Sequence, residues 1–143
     1  MKAKLITFLG ITVIVISNLA LAAELSVTEA WARATIPGMA NGAGYASLAN
    51  EQEQPLTLVK LESPASSKTE LHTHQHDNGM MKMVHVPELT LAAGESLSMA
   101  PGSYHIMFFD LQQPFKVGDS VPVVMHFADG SRQQINLEVR ELE

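Results

Sequence analysis

Histidine and methionine side chains, both of which can ligate metal ions, are crowded into one short segment of this chain. The 143 residues include six histidines and eight methionines, and four of these histidines and three of these methionines lie between positions 72 and 85. If Asn78 and Gly79 form a two-residue hairpin turn, the strands on either side pair residue by residue. The facing pairs are then Asp77 with Met80, His76 with Met81, His74 with Met83, and His72 with His85. Because side chains alternate sides along a strand, one face of the hairpin becomes a ladder of nitrogen and sulfur donors.

A second pair of donors lies in a later segment that also has the pattern of a strand. His105 and Met107 project from one face of this predicted strand, and Ile106 and Phe108 project from the other. The apolar face can hold the strand against the core, which is the support that a metal site needs.

The donor types indicate which metal such a site would prefer. Neutral imidazole and thioether groups suit monovalent copper, whereas calcium, magnesium and manganese prefer oxygen ligands. Thioether is a poor ligand for zinc, although three histidines alone could recruit it. Methionine sulfur cannot form disulfides and therefore stays available in an oxidising compartment. The donors thus favour copper(I).

Each of these residues also has an ordinary structural interpretation. A methionine on a strand is most often a core residue that fills an irregular gap. Met125 and His126 illustrate this, because adjacent strand positions face opposite sides, and we expect Met125 in the core and His126 at the surface. The joint pattern of donors, rather than any single residue, therefore indicates a site.

The first residues are typical of an export signal. Lys2 and Lys4 precede an apolar run over residues 5–21, and small residues around Ala22 provide a cleavage site. We expect residues 1–22 to be a cleaved signal peptide and residues 23–143 to form one copper-binding domain. The alternative is an uncleaved membrane anchor, because the run approaches the length that spans a bilayer. A lipid anchor would need a cysteine, and the chain has none.

Charge and composition exclude several classes of function. Without the leader, seven basic residues remain against fifteen acidic ones, so the net charge changes from −6 to −8. So few cations disfavour nucleic acid and anionic membrane surfaces as partners. The absence of cysteine excludes thiolate nucleophiles, zinc–thiolate sites and blue-copper centres.

Short apolar runs alternate with turn signals along the whole domain, which is typical of an antiparallel sandwich or barrel. Glycine at positions 42, 79, 94, 102, 118 and 130 marks the predicted turns. The predicted strands cover residues 25–34, 44–48, 56–61, 69–76, 80–86, 96–99, 104–109, 121–127 and 134–139.

The spacing of His72, Met83, His105 and Met107 resembles the copper-binding signature of the periplasmic CuA chaperone family, PCuAC, at all four positions. Residues 30–35, 42–45, 70–72, 101–105 and 118–122 resemble the same family, so the resemblance covers nearly the whole domain. It implies an all-β, cupredoxin-like antiparallel Greek-key sandwich located in the periplasm. It also implies that the four side chains hold copper(I) and pass it to the CuA centre of cytochrome c oxidase.

Some members of that family carry a histidine- and methionine-rich tail, whereas this sequence ends in Glu141-Leu142-Glu143. A weaker secondary metal site, open to copper(II), could instead be formed by other donors of the hairpin. These donors are His74, His76, Met81 and His85.

The functional prediction is a monomeric metallochaperone for copper(I), with no enzymatic activity. Its expected partner is the CuA-containing subunit of cytochrome c oxidase or another copper acceptor, without nucleic acid and without a membrane after signal cleavage. The alternative is a periplasmic copper buffer or resistance protein that sequesters the metal without transfer. A copper oxidase or zinc hydrolase is disfavoured, because no carboxylate is expected among the donors to act as a general base.

Overall fold

The computed structural model describes residues 24–141, and the regular secondary structure in that range consists of β-strands. The predicted signal peptide, residues 1–22, lies outside the described residues. Within them, no helix is long and apolar enough to cross a membrane. The strands are β1 (Ser26–Arg33), β2 (Gly42–Ala49), β3 (Leu56–Glu62), β4 (Ser66–Asp77), β5 (Met80–His85), β6 (Leu89–Leu91), β7 (Ser96–Ser98), β8 (His105–Leu111), β9 (Ser120–Phe127) and β10 (Arg132–Arg140).

All ten strands belong to one sheet. Nine of them follow the order β5-β4-β8-β2-β1-β10-β9-β3-β6, and β7 pairs with β2. A bridge between Leu61 of β3 and Thr69 of β4 closes the sheet on itself. Neighbouring strands are antiparallel except β1 and β10, which run parallel. The all-β prediction is confirmed, and the structure adds the closure and the one parallel pair.

The core lies on the inner face of the closed sheet. Ile106 and Phe108 of β8 are almost completely buried there, as the alternation of that strand predicts. Met125 of β9 is buried as well, whereas His126 is partly exposed and its Nε2 atom lies 2.7 Å from a Glu62 carboxylate oxygen. The contrast between these two adjacent residues is therefore confirmed.

The hairpin of β4 and β5 has the register that the sequence predicts. Asn78 and Gly79 adopt φ angles of 49° and 81°, and positive φ at both central residues is the requirement of a type I′ turn. His74 faces Met83, and His76 faces Met81 in the resulting ladder. The turn therefore fixes which donors lie on one face.

The local structure differs from the sequence prediction in two places. The expected turn at Gly42 is wrong, because Gly42 begins β2 and is buried. A Cβ atom there would lie 2.9 Å from the ring of Phe115, so close packing explains this glycine, and the turn before β2 uses Gly38 at a φ of 91°. Strand β6 was not predicted, because Leu89–Leu91 is too short to show a period.

Candidate metal centre

The candidate centre lies where β4 pairs with β8. His72 faces His105 in this ladder, and Leu71 faces Ile106. Leu71 and Ile106 are buried in the core, so the two histidines occupy the opposite, outer face of the sheet. The imidazole rings are still well covered, since His72 is 7% exposed and His105 is 5% exposed. Core packing thus brings together two donors that are far apart in the sequence.

Met83 reaches this pair from β5. Its Sδ atom lies 3.3 Å from the Nε2 atom of His105, although no ladder joins β5 to β8. Two ligands of one tetrahedral ion, with bonds of about 2.0 Å to nitrogen and 2.3 Å to sulfur, would lie about 3.5 Å apart. The separation of these two donor atoms therefore suits a shared metal ion.

A hydrogen bond fixes the ring of His105. Its Nδ1 atom donates to the carbonyl oxygen of Ser103 at 3.0 Å, because a carbonyl oxygen only accepts. The lone pair of Nε2 is then free on the side of Met83. Histidines that ligate a metal through one ring nitrogen usually donate a hydrogen bond of this kind from the other. Burial lowers the pKa of His105, and the charges of His74 and His72 act in the same direction, while the bond to Ser103 opposes them. The neutral ring, which is the form that ligates, is favoured.

A carboxylate lies next to His72, although the sequence predicts no acidic side chain among the donors. An oxygen of Glu70 is 2.8 Å from His72 Nε2, and the hydrogen bond to His72 is the main reason why the pKa of Glu70 is lowered. Lys68 pairs with the other oxygen at 3.2 Å. Glu70 could have been found from the sequence, because it precedes His72 by two positions and so shares its face.

Two nitrogen atoms of this region are buried without a hydrogen-bond partner. Within residues 24–141, the buried side-chain nitrogen and oxygen atoms that lack a partner are Nδ1 of His72 and Nδ1 of His74. Leaving a buried polar atom unpaired costs about 1–3 kcal/mol. A bound cation would remove that cost, so the donor cluster formed by His72, Met83 and His105, with His74 beside it, suits a metal ion.

Met107 is the fourth ligand that the sequence predicts. It lies on the same face as His105, two positions further along β8, and faces Glu70 across the ladder. The structure therefore brings His72, Met83 and His105 together and places Met107 on the same face of the sheet.

Comparison with known proteins identifies the family. The sequence profile of LpqE-like lipoproteins matches residues 25–139. The chain belongs to the LpqE-like family. Two relatives are Lxx21020 of Leifsonia xyli subsp. xyli, named as a lipoprotein and 30% identical over 118 residues, and RP573 of Rickettsia prowazekii, 32% identical over 121 residues. Each match covers 82% of this chain, with 70% of the first relative and 67% of the second.

Solved structures show the same fold. The copper-bound PCuAC domain from PmoF2 matches with a TM-score of 0.69 at 18% identity, over 85% of this chain and 96% of that domain. The CuI form of DR1885 from Deinococcus radiodurans matches with a TM-score of 0.67 at 31% identity, over 85% and 82%. The resemblance to the PCuAC family and the cupredoxin-like fold predicted from the sequence are confirmed.

The other donors of the hairpin in this LpqE-like domain lie towards its tip or beside His72. His76 and Met81 face each other near the exposed tip, and the ring of His85 lies 5.6 Å from that of His72. Among residues 24–141, no three histidine or acidic side chains are close enough to form a metal site by themselves. Methionine sulfur therefore belongs to any compact donor set in this region.

An aromatic pair lies on the same outer face, beside the donor cluster. The rings of Trp31 and Tyr45 are 4.5 Å apart, and burial raises the pKa of Tyr45. Tyr45 follows Gly44, which faces Ile106 in β8, so its position in β2 is next to His105. Both aromatic residues pack against the sheet.

Proposed function

We propose that this protein is an extracytoplasmic copper(I) carrier that holds one ion with His72, Met83, His105 and Met107. The observation that carries the proposal is the distance of 3.3 Å between His105 Nε2 and Met83 Sδ. A thioether beside a neutral imidazole is a donor set that selects copper(I) over zinc, magnesium or calcium. The copper-bound PmoF2 domain and CuI-DR1885 support the choice of metal.

The accessibility of the donors favours a carrier over a permanent cofactor site. Met83 is 46% exposed, whereas the imidazoles of His72 and His105 are held by the sheet. An acceptor can therefore approach from the side of the methionine and replace the ligands one after another, while the histidines keep the ion in place. Neutral donors also release copper(I) more readily than thiolates would.

The acceptor in this proposal is the CuA-containing subunit of cytochrome c oxidase. It follows from the PCuAC resemblance, and the acidic surface of the domain suits a partner with a basic docking surface. The periplasm is the expected location, and the lipoprotein names in the family support a place outside the cytoplasm. The carrier role involves no catalytic step.

Transfer can be tested directly against simple storage. The protein is loaded with one equivalent of copper(I) under anaerobic conditions and mixed with the apo form of a CuA domain, and the CuA absorption bands are recorded after mild oxidation. The carrier proposal predicts copper in the acceptor within minutes and a copper-free donor. Retention of copper by this protein against an acceptor of higher affinity would instead identify a copper buffer. His126→Asn, which lies outside the donor cluster, serves as a control that should transfer normally.

A further inference from the structure

Met83 carries a thioether that lies in the donor cluster and is also open to solvent. Its side chain is exposed, as are those of Met80 and Met81 on the same strand, whereas Met99 and Met125 are buried in the core. Oxidation to the sulfoxide is the common oxidative lesion of methionine, and it requires that the oxidant reach the sulfur atom. A small oxidant in solution can therefore reach the sulfur of Met83.

The contacts of Met83 set it apart from a neighbouring exposed methionine. Met80 faces Asp77 beside the turn of the hairpin, whereas Met83 Sδ lies 3.3 Å from His105 Nε2. The same chemical change thus acts on the donor cluster at Met83 and on the hairpin tip at Met80.

The tautomer of His105 determines what oxidation does to this contact. Nδ1 of His105 donates to the carbonyl oxygen of Ser103, so Nε2 carries a lone pair and accepts hydrogen bonds. A sulfoxide oxygen also only accepts hydrogen bonds, so oxidised Met83 has none to form with Nε2. The two acceptors repel each other, and the polar side chain turns towards the solvent to which it is already exposed. Oxidation therefore separates this side chain from the imidazole.

Oxidation also removes the donor that copper(I) requires. Copper(I) is a soft ion that binds thioether sulfur, whereas the sulfoxide is a polar group whose exposed donor is a hard oxygen atom. Oxidised Met83 is therefore a poor ligand for copper(I) even when it stays near His105.

Other parts of the molecule do not carry an inference of this kind. A groove of about 770 Å³ lies where β3 and β4 diverge, but no observation indicates what would occupy it. The exposed apolar side chains of Ile36, Met39 and Val117 likewise have no indicated partner.

We propose that Met83 is a reversible oxidation site through which hydrogen peroxide switches off copper(I) binding by the metal-free protein. Peroxide transfers one oxygen atom to Sδ. The O–O bond breaks, an S–O bond forms and water leaves, so the sulfur loses two electrons and peroxide gains them. Methionine sulfoxide reductases restore the thioether, with a dithiol as the reductant that becomes a disulfide while the oxygen leaves as water. The inference rests on the proposed function, because it concerns a ligand of the same ion.

The test treats the metal-free protein with hydrogen peroxide, because copper(I) itself reacts with peroxide. Peptide mass spectrometry measures the sulfoxide at each methionine. After peroxide is removed, an anaerobic titration against a competing chelator gives the copper(I) affinity. Conversion of Met83 should lower this affinity by about tenfold or more, and reductases for both sulfoxide epimers should restore it. Unchanged affinity after full conversion of Met83, or conversion of Met80 while Met83 stays reduced, would overturn the proposal.

Matched variants separate Met83 from the other methionines. Met80→Leu removes an exposed thioether of the same strand, so peroxide should lower its copper(I) affinity as much as in the unmodified protein. Met83→Leu begins with the lower affinity, and peroxide should reduce it by no more than about twofold further. A further loss in Met83→Leu equal to that of the unmodified protein would assign the effect to another methionine and contradict the proposal.

The copper(I) titration of the untreated protein separates this inference from the proposed function. If the untreated protein binds no copper(I), the proposed function fails, and oxidation has no binding to switch off. Normal copper(I) binding that survives full oxidation of Met83 refutes only the oxidation switch.

Discussion

His105 Nε2 lies 3.3 Å from Met83 Sδ, and this contact joins two strands that share no ladder. His105 is on β8 and Met83 is on β5, with β4 between them. The methionine side chain therefore reaches across a whole strand on the outer face of the sheet. Such a contact gives a soft donor to a histidine that the core already holds in place.

The first prediction concerns Met83 and a methionine of the same strand. Met83→Ala should weaken copper(I) binding at least tenfold, which corresponds to about 1.4 kcal/mol, because it removes the sulfur next to His105. Met80→Ala is the matched control, since Met80 is also exposed on β5 but faces Asp77. An anaerobic titration against a chelator that is specific for copper(I) measures both. Equal affinities for the two variants would contradict the role of Met83.

A second prediction concerns Glu70 as a positioning residue. Its carboxylate accepts a hydrogen bond from His72 Nε2, so the lone pair that can bind a metal ion is on Nδ1 of His72. Glu70→Gln should yield a mixture of His72 tautomers in the ¹⁵N spectrum of the metal-free protein. It should also lower copper(I) affinity about tenfold.

Lys68→Gln is the control for this experiment, because Lys68 contacts Glu70 but not the imidazole. Its tautomer and affinity should match those of the unmodified protein. Tighter copper binding in Glu70→Gln would show that the ion uses Nε2 of His72 and competes with the carboxylate for it.

The third prediction concerns stability as a function of pH. The pKa of His105 is lowered in the fold, chiefly by burial, so the unfolded chain takes up this proton first as the pH falls. The contribution of the neutral His105 ring to the free energy of unfolding is therefore complete above the ordinary histidine pKa of about 6.5. This contribution is lost as the pH falls below that value. Between pH 7.5 and pH 5.5, the free energy of unfolding of the metal-free protein should decrease less in His105→Asn than in the unmodified protein. Denaturant unfolding at the two pH values measures both. The exposed His76→Asn should behave like the unmodified protein, and an identical decrease in all three would contradict this interpretation.

A fourth prediction concerns the packing that supports β8. A Cβ atom on Gly44 would lie 2.6 Å from Leu137 Cδ1 and 3.2 Å from Phe108 Cε2. Both neighbours are completely buried, so Gly44→Ala should destabilise the fold by about 1–3 kcal/mol through overpacking. Ser47→Ala, on the outer face of the same strand, should change the free energy of unfolding by about 0.5 kcal/mol or less. Urea unfolding compares the two, and a neutral Gly44→Ala would show that the core relaxes around the methyl group.

Local patterns in the sequence predict a large part of this arrangement. Asn78-Gly79 sets the register of the hairpin, and the alternation of His105 with Ile106 assigns each to its face. These features depend on residues that are close in the chain, so period and turn chemistry are sufficient to find them.

The pairing of distant segments could not be predicted in the same way. That His72 faces His105 depends on the β4–β8 ladder, which forms between strands separated by three others in the chain. The proximity of His74 to His105 and the position of Met107 opposite Glu70 follow from that ladder. Sequence spacing thus identified the donor types, while tertiary pairing determines which of them converge.

X-ray absorption at the copper edge identifies the atoms that surround the bound ion. The protein is loaded anaerobically with one equivalent of copper(I), and the scattering shell of the metal is measured with Met83→Ala as the comparison. A centre that contains Met83 should give mixed nitrogen and sulfur scattering, with sulfur at about 2.3 Å, and a weaker sulfur contribution in the variant. A shell of nitrogen and oxygen alone, identical in both proteins, would contradict a copper(I) centre built on Met83 and His105.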